Sequence, residues 1–234
     1  MGGYLDQAIE RLKEFEGSVP WMYLDTVGKV TVGVGSMLPD ARMASTLPFA
    51  YGGRAATFEE VGREFARVSA LPKGRAATFY RKANGLRLGE DAIDQRLRGV
   101  LEGFEGYLRA HIAEYEGMPD GTKLALLDMV YNLGPGRLFQ EYPKLIAAVE
   151  RGDWRGAAAA CARKGPSAAR NNWTKEQFAE AAEQFAEAAK QVAIRAEAAV
   201  ESGSWAWVPV LFAAAGGLAL VLARSGRAAR PPAE

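Results

Sequence analysis

The apolar positions along the chain change period near residue 20. Leu5, Ile9, Leu12 and Phe15 recur at helical spacing and predict an amphipathic helix ending near Gly17. Past Pro20 the residues of 21–34 are rich in aromatic and β-branched side chains. Asp25-Thr26-Val27-Gly28 supplies a turn, and Val30, Val32 and Val34 alternate with Thr31 and glycines. A small antiparallel hairpin is expected there. From Pro39 to Gly89 the pattern is interrupted by glycines, with a short helix over 58–68 capped by Thr57 and Glu60. From Glu90 helical stripes dominate. Ile93, Leu97, Val100 and Leu101 form one stripe, and Leu124, Leu127, Val130 and Tyr131 form another, closed by Gly134-Pro135-Gly136. Leu145, Ile146 and Val149 form a third, closed by Arg151-Gly152-Asp153. The expected fold is α+β and mainly α: a small N-terminal hairpin or sheet, then a helical lobe.

Two later segments extend this picture. Thr174 is expected to cap a long helix over 174–203. The heptad EQFAEAA occurs at 176–182 and again at 183–189, which sets Phe178, Phe185, Val192 and Ala199 on one seam. Such a seam suits a coiled coil or docking on the chain's own helices, and two heptads favour docking. The run from Trp205 to Leu222 then carries no charge over eighteen residues. A bilayer-spanning helix needs about 20 mostly apolar residues, so 204–234 reads as a transmembrane helix over 205–223 with a basic tail. Trp205 and Trp207 would mark one interface and Arg224, Arg227 and Arg230 the other. That charge bias puts the C-terminus in the cytoplasm, with the inner membrane as a partner and the preceding residues on the periplasmic side. A buried C-terminal helix is the competing reading, disfavoured because residues 213–217 are apolar all round.

Composition narrows the chemistry. The chain has 234 residues, 49% of them apolar, enough for one core or two small lobes. Its net charge is +1, without a basic block of the kind that marks nucleic-acid binding. Cys161 is the only cysteine, so no internal disulfide forms, and its alanine-rich surroundings read as core. His111 is the only histidine and no CxxC spacing exists, which leaves no metal site of the usual kind. A Ser-His-Asp triad is formally possible, but no nucleophile-elbow motif supports it. The N-terminus lacks the order of a signal peptide, and Asp6 stands where a myristoylation motif needs Ser or Thr. Carboxylates are left as the natural reactive groups, with no metal or cofactor expected.

Glycoside hydrolysis needs one carboxylic acid to protonate the leaving oxygen and one carboxylate to activate water or attack the sugar. Glu16, at the end of a helix, and Asp25, in the following hairpin, come from different elements as such a pair should. On their own they read more readily as solvated charges at a helix end and a turn. Their surroundings are more specific: Phe15-Glu16-Gly17, then Tyr23-Leu24-Asp25-Thr26-x-Gly28, then Thr31-Val32-Gly33-Val34-Gly35. This order, nine residues from Glu16 to Asp25 and six from Asp25 to Thr31, resembles the phage T4-type lysozymes, glycoside hydrolase family 24.

The resemblance extends more loosely over residues 4–190. Residues 86–93 look like that family's inter-lobe helix start, 125–134 like its cleft-lining helix, and Gly152-Asp153-Trp154 fits its C-terminal lobe. It implies a two-lobed lysozyme fold in a muramidase domain over 1–190, with peptidoglycan as substrate and inversion as its stereochemistry. Glu16 would be the general acid, kept protonated by partial desolvation. Asp25 would stay ionised, orient water and stabilise the charged sugar ring, and Thr31 would hold the water. Asn132 would donate to the glycan, and Gly33 would leave room for the sugar chain. Trp21 is a candidate for stacking on a sugar, although an aromatic beside a hairpin is more often core. Ser36 stands where many family members have His, and residues 39–89 are longer than the shortest members allow. Arg170-Asn171-Asn172-Trp173 reads as a turn leading into a helix.

Three functions from different classes follow. The first is a muramidase used in lysis or as an antibacterial effector, which would bring a holin or an immunity protein as partner. The second is a catalytically silent peptidoglycan-binding module. The third is a membrane-permeabilising protein acting through its tail.

Overall fold

A computed structural model describes residues 3–201, 208–214 and 217–223 of the chain. Helix α1 (Gly3–Glu16) buries Leu5, Ala8, Ile9 and Leu12 along one stripe, as its spacing predicts. It stops at Gly17, whose positive φ of 78° suits glycine and lets its N–H close on the Lys13 carbonyl at 2.9 Å. The chain then enters β1 (Val19–Leu24), β2 (Val30–Gly33) and β3 (Ser36–Met37), an antiparallel sheet in that order. Met22, Leu24, Val30 and Val32 are buried on the core face of the hairpin. An irregularity in β1 between Val19 and Tyr23 shifts the register there.

The segment expected to be irregular has order of its own. After a single turn, α2 (Ala41–Ala44), strands β4 (Phe49–Tyr51), β5 (Arg54–Ala55) and β6 (Arg87–Leu88) form a second sheet in the order β5-β4-β6. Between them lie α3 (Phe58–Ser69) and the single turn α4 (Ala77–Tyr80). Helix α3 begins with the predicted capping box: Thr57 accepts from the Glu60 N–H at 3.2 Å, and Glu60 accepts from the Thr57 N–H at 2.8 Å. The chain divides into two units, Met1–Phe104 and Glu105–Glu234, with the boundary inside helix α5 (Glu90–His111). In the first unit α1 is tied to α5 by Lys13, which donates to Asp94 at 2.8 Å and to Glu90, and by the Asp6–Arg98 pair.

The second unit is helical: α6 (Asp120–Leu133), α7 (Pro135–Glu141), α8 (Pro143–Glu150), α9 (Trp154–Ala160) and α10 (Ala168–Glu201). Helix α6 is buried on nearly every side from Thr122 to Val130, so it forms the core of this unit. Helix α10 starts at Ala168, ahead of the expected Thr174. Ser167 accepts from the Arg170 N–H at 3.2 Å, while Thr174 is buried within the helix and does not cap it. The heptad seam docks on its own unit over its first part. Phe178 is fully buried, and the Phe185 ring meets Trp154 edge-on at 6.0 Å. Cys161 is buried, and that burial raises its thiol pKa.

The tail corrects an expectation. The apolar run does not form a transmembrane helix over 205–223: β7 (Val208–Ala214) pairs antiparallel with β8 (Gly217–Ala223), from Val208 opposite Ala223 to Ala214 opposite Gly217. Among the described residues no helix is long and apolar enough to cross a membrane. Hydrophobicity alone suggested a helix, but the residues favour strands. Val208, Val210, Phe212 and Val221 suit a pleated sheet, and Pro209 lacks the N–H that a helix interior needs. Gly216-Gly217 places two poor helix formers mid-run, at about 1 kcal/mol each relative to Ala. The expected interfacial tryptophans and flanking arginines, at 205, 207, 224, 227 and 230, lie outside the described residues.

Candidate active site

Glu16 is the last residue of α1 and is exposed. The turn at Gly17 leads directly into β1, so helix end and hairpin are adjacent in the chain as well as in the motif. Across the hairpin Tyr23 faces Thr31 and Leu24 faces Val30. Alternation therefore puts Tyr23, Asp25 and Thr31 on the face opposite the Leu24–Val30 pair. The Tyr23 phenol lies within the electrostatic reach of both carboxylates. Its pKa is raised by burial first, then by the charges of Asp25 and Glu16. Both acids of the motif thus act on one phenol, although they come from different elements.

Asp25 also organises the turn. Its Oδ1 accepts from the Val27 N–H at 3.0 Å and the Lys29 N–H at 2.8 Å, and its own N–H donates to the Lys29 carbonyl at 2.9 Å. This is an Asx-type turn, and it engages Oδ1 only. Thr31 is buried, and its hydroxyl donates to the Lys29 carbonyl at 3.0 Å. Two of the three motif side chains therefore have a role in the hairpin whatever else they do.

A cavity of about 360 Å³ opens beside Asp25. Tyr23 to Thr26 form one wall and Gly74 to Ala77, from the long segment before α5, form the other. That second wall is fixed at its end by Trp21, whose indole N–H donates to the Ala77 carbonyl at 2.8 Å. Lys73 packs over Gly28, where an added Cβ would lie 3.3 Å from its Cδ. Sequence reasoning had no signal for this wall, because Gly74–Ala77 has no periodicity and lies some 50 residues from Asp25. Tyr23 was quoted in the motif without a role. Its place opposite Thr31 could have been read from the hairpin register.

The remaining candidates have other surroundings. The Trp21 ring lies under the guanidinium groups of Arg81 and Arg87, 5.3 and 5.1 Å from its centroid. Gly33 is buried with φ 64°, and the space above it is taken by Ile93 of α5, 3.1 Å from where a Cβ would stand. Its lack of a side chain thus serves packing against α5. Asn132 is exposed near the end of α6, in the second unit.

That unit holds a buried ionic cluster that the sequence did not announce. Asp128 accepts from Arg163 at 2.5 Å through Oδ2 and from Arg170 at 2.7 Å through Oδ1, with the Thr174 hydroxyl 2.9 Å from Oδ2. The Arg163 side chain is completely buried, and it also donates to the Asp128 carbonyl at 3.2 Å. Among the described residues no His, Cys, Asp and Glu group has the makings of a metal site. No protein-family model and no curated protein matches the sequence.

Proposed function

We propose that the chain is a muramidase, hydrolysing the β-1,4 bond between N-acetylmuramic acid and N-acetylglucosamine in peptidoglycan with inversion. Glu16 protonates the glycosidic oxygen. Asp25 stays ionised, and its Oδ2, outside the turn, orients the attacking water and offsets positive charge on the sugar ring. Thr31 positions the water. The observation that carries this reading is the cavity that Asp25 lines with Tyr23, whose phenol lies within the electrostatic reach of both Asp25 and Glu16. The E-G, D-x-x-G and T-x-G-x-G spacing supports it from the sequence side.

A second reading has an observation of its own. Asp25 and Thr31 both bond to the hairpin backbone, as they would in a peptidoglycan-binding module that uses the motif for folding alone. Turbidity of purified peptidoglycan separates the two. The muramidase clears it, and Glu16→Gln, which keeps shape and removes the acid, slows clearing by about 10²–10⁴-fold. A binding module leaves turbidity unchanged in both proteins while both still sediment with the wall.

A further inference from the structure

The first unit contains a second cavity, also of about 360 Å³, walled by α3 and the 82–86 turn and distinct from the one beside Asp25. Glu60 and Glu64 line it, yet neither offers a free negative charge. Arg54 pairs with Glu60 through two bonds of 2.6 and 2.9 Å, and Arg67 pairs with Glu64 in the same way. Hydrogen bonding from Arg54 and then from the Thr57 backbone holds the Glu60 carboxyl down at about 2. Two further cations line the cavity. Arg63 is exposed on α3, and Lys82, also exposed, forms a long ion pair of 3.7 Å with Glu64 rather than a hydrogen bond. Tyr51 and Asn84 add a hydroxyl and an amide.

The turn wall is held in shape before any ligand arrives. Arg67 donates to the Tyr80 carbonyl at 2.6 Å, and Arg87 donates to the Lys82 and Leu86 carbonyls at 2.8 Å each. A Cβ at Gly85 would stand 2.9 Å from that of Lys82, so the turn is close-packed as well. Residues 54–87 carry eight Lys or Arg against three Glu, in a chain whose total is +1. A preorganised cavity with Arg63 and Lys82 in its lining suits an oxyanion.

We propose that this cavity is a second, non-catalytic site that binds the carboxylate of a short acidic peptide between Arg63 and Lys82. Glu60 and Glu64, though paired with arginines, keep acceptor lone pairs in the same wall, which a peptide N–H can use and a phosphate cannot. Tyr51 and Asn84 hydrogen-bond the adjoining amide. The site rests on the muramidase reading only for the polymer that carries the peptide: the stem peptides of the cell wall. Its effect there is to hold the glycan by its peptide branch, and so to lower KM without changing kcat.

Titration of the full chain with N-acetyl-L-alanyl-D-glutamate, its diamide and inorganic phosphate tests binding directly. The acid binds, and the diamide and phosphate bind more weakly by roughly tenfold or more. Arg63→Gln with Lys82→Gln, both exposed, abolishes the preference at an unchanged melting temperature. The same double variant raises KM on peptide-bearing glycan and leaves stem-stripped glycan unaffected. Equal binding of acid and diamide by the wild type, tighter binding of phosphate, or unchanged acid binding in the double variant overturns the proposal. If the wild type cleaves no glycan yet prefers the acid, the muramidase reading fails and the peptide site stands.

Discussion

Asp25 has two separable duties, because the turn uses Oδ1 and the chemistry needs the charge. Asp25→Asn retains the acceptor and removes the charge. It is expected to melt within about 0.5 kcal/mol of the wild type while losing peptidoglycan hydrolysis by about 10²-fold or more. Asp25→Ala loses both duties and is less stable by about 1 kcal/mol as well. Thermal melts and turnover on the two variants check this, and equal activity in Asp25→Asn and wild type would remove Asp25 from the mechanism. Tyr23 reports on the same geometry. Its folded pKa is raised above the ordinary 10.0 by burial and by Asp25 and Glu16. Above pH 10 the unfolded chain therefore ionises first, and the stability linked to Tyr23 is lost as pH rises through its folded value. In Glu16→Gln and Asp25→Asn its pKa is expected to move back towards 10.0. Ring-carbon NMR, with Tyr23→Phe to assign the signal, measures the shift. A Tyr23 titration indifferent to both substitutions would separate the carboxylates from the phenol.

Among the elements, those built from local signals were legible in the sequence. The α1 stripe, the Asx-turn hairpin and the Thr57–Glu60 capping box each depend on residues within a turn or two of one another. Elements that depend on distant partners were not. Helix α6 carried one visible apolar stripe, but its burial from Thr122 to Val130 needs the whole second unit around it. Asp128 sits on that helix, and its partners Arg163 and Arg170 come 35 and 42 residues later. The tail shows the reverse error, where hydrophobicity outweighed Pro209 and the Gly-Gly pair in the reading of a helix. The Asp128 cluster joins α6 to the start of α10 and to the segment between α9 and α10. Removing the Asp128 carboxylate takes the shared acceptor away from two buried guanidinium groups. Asp128→Asn is expected to destabilise the protein by about 3–5 kcal/mol, read from denaturant unfolding. A loss below about 1 kcal/mol would mean that water reaches the cluster and that it is not a core ion pair.

Over the whole molecule, near-neutral net charge conceals uneven distribution. The Glu16–Asp25 motif, the cavity wall at Gly74–Ala77 and the basic stretch 54–87 all belong to the first unit, so the proposed chemistry and its peptide site share one body. Asn132 and the Asp128 cluster belong to the second. The motif lies within 20 residues, and its resemblance to a lysozyme family rests on the order and spacing of those residues. The walls around it come from a segment whose role only the fold reveals. The new reducing end shows which bond is cut, and its loss in Glu16→Gln shows whether Glu16 is the acid. Peptidoglycan digested by the full chain and then reduced with borohydride is expected to yield muramitol, with none above background from Glu16→Gln. Glucosaminitol as the reduced sugar, or equal muramitol from wild type and Glu16→Gln, would contradict the account.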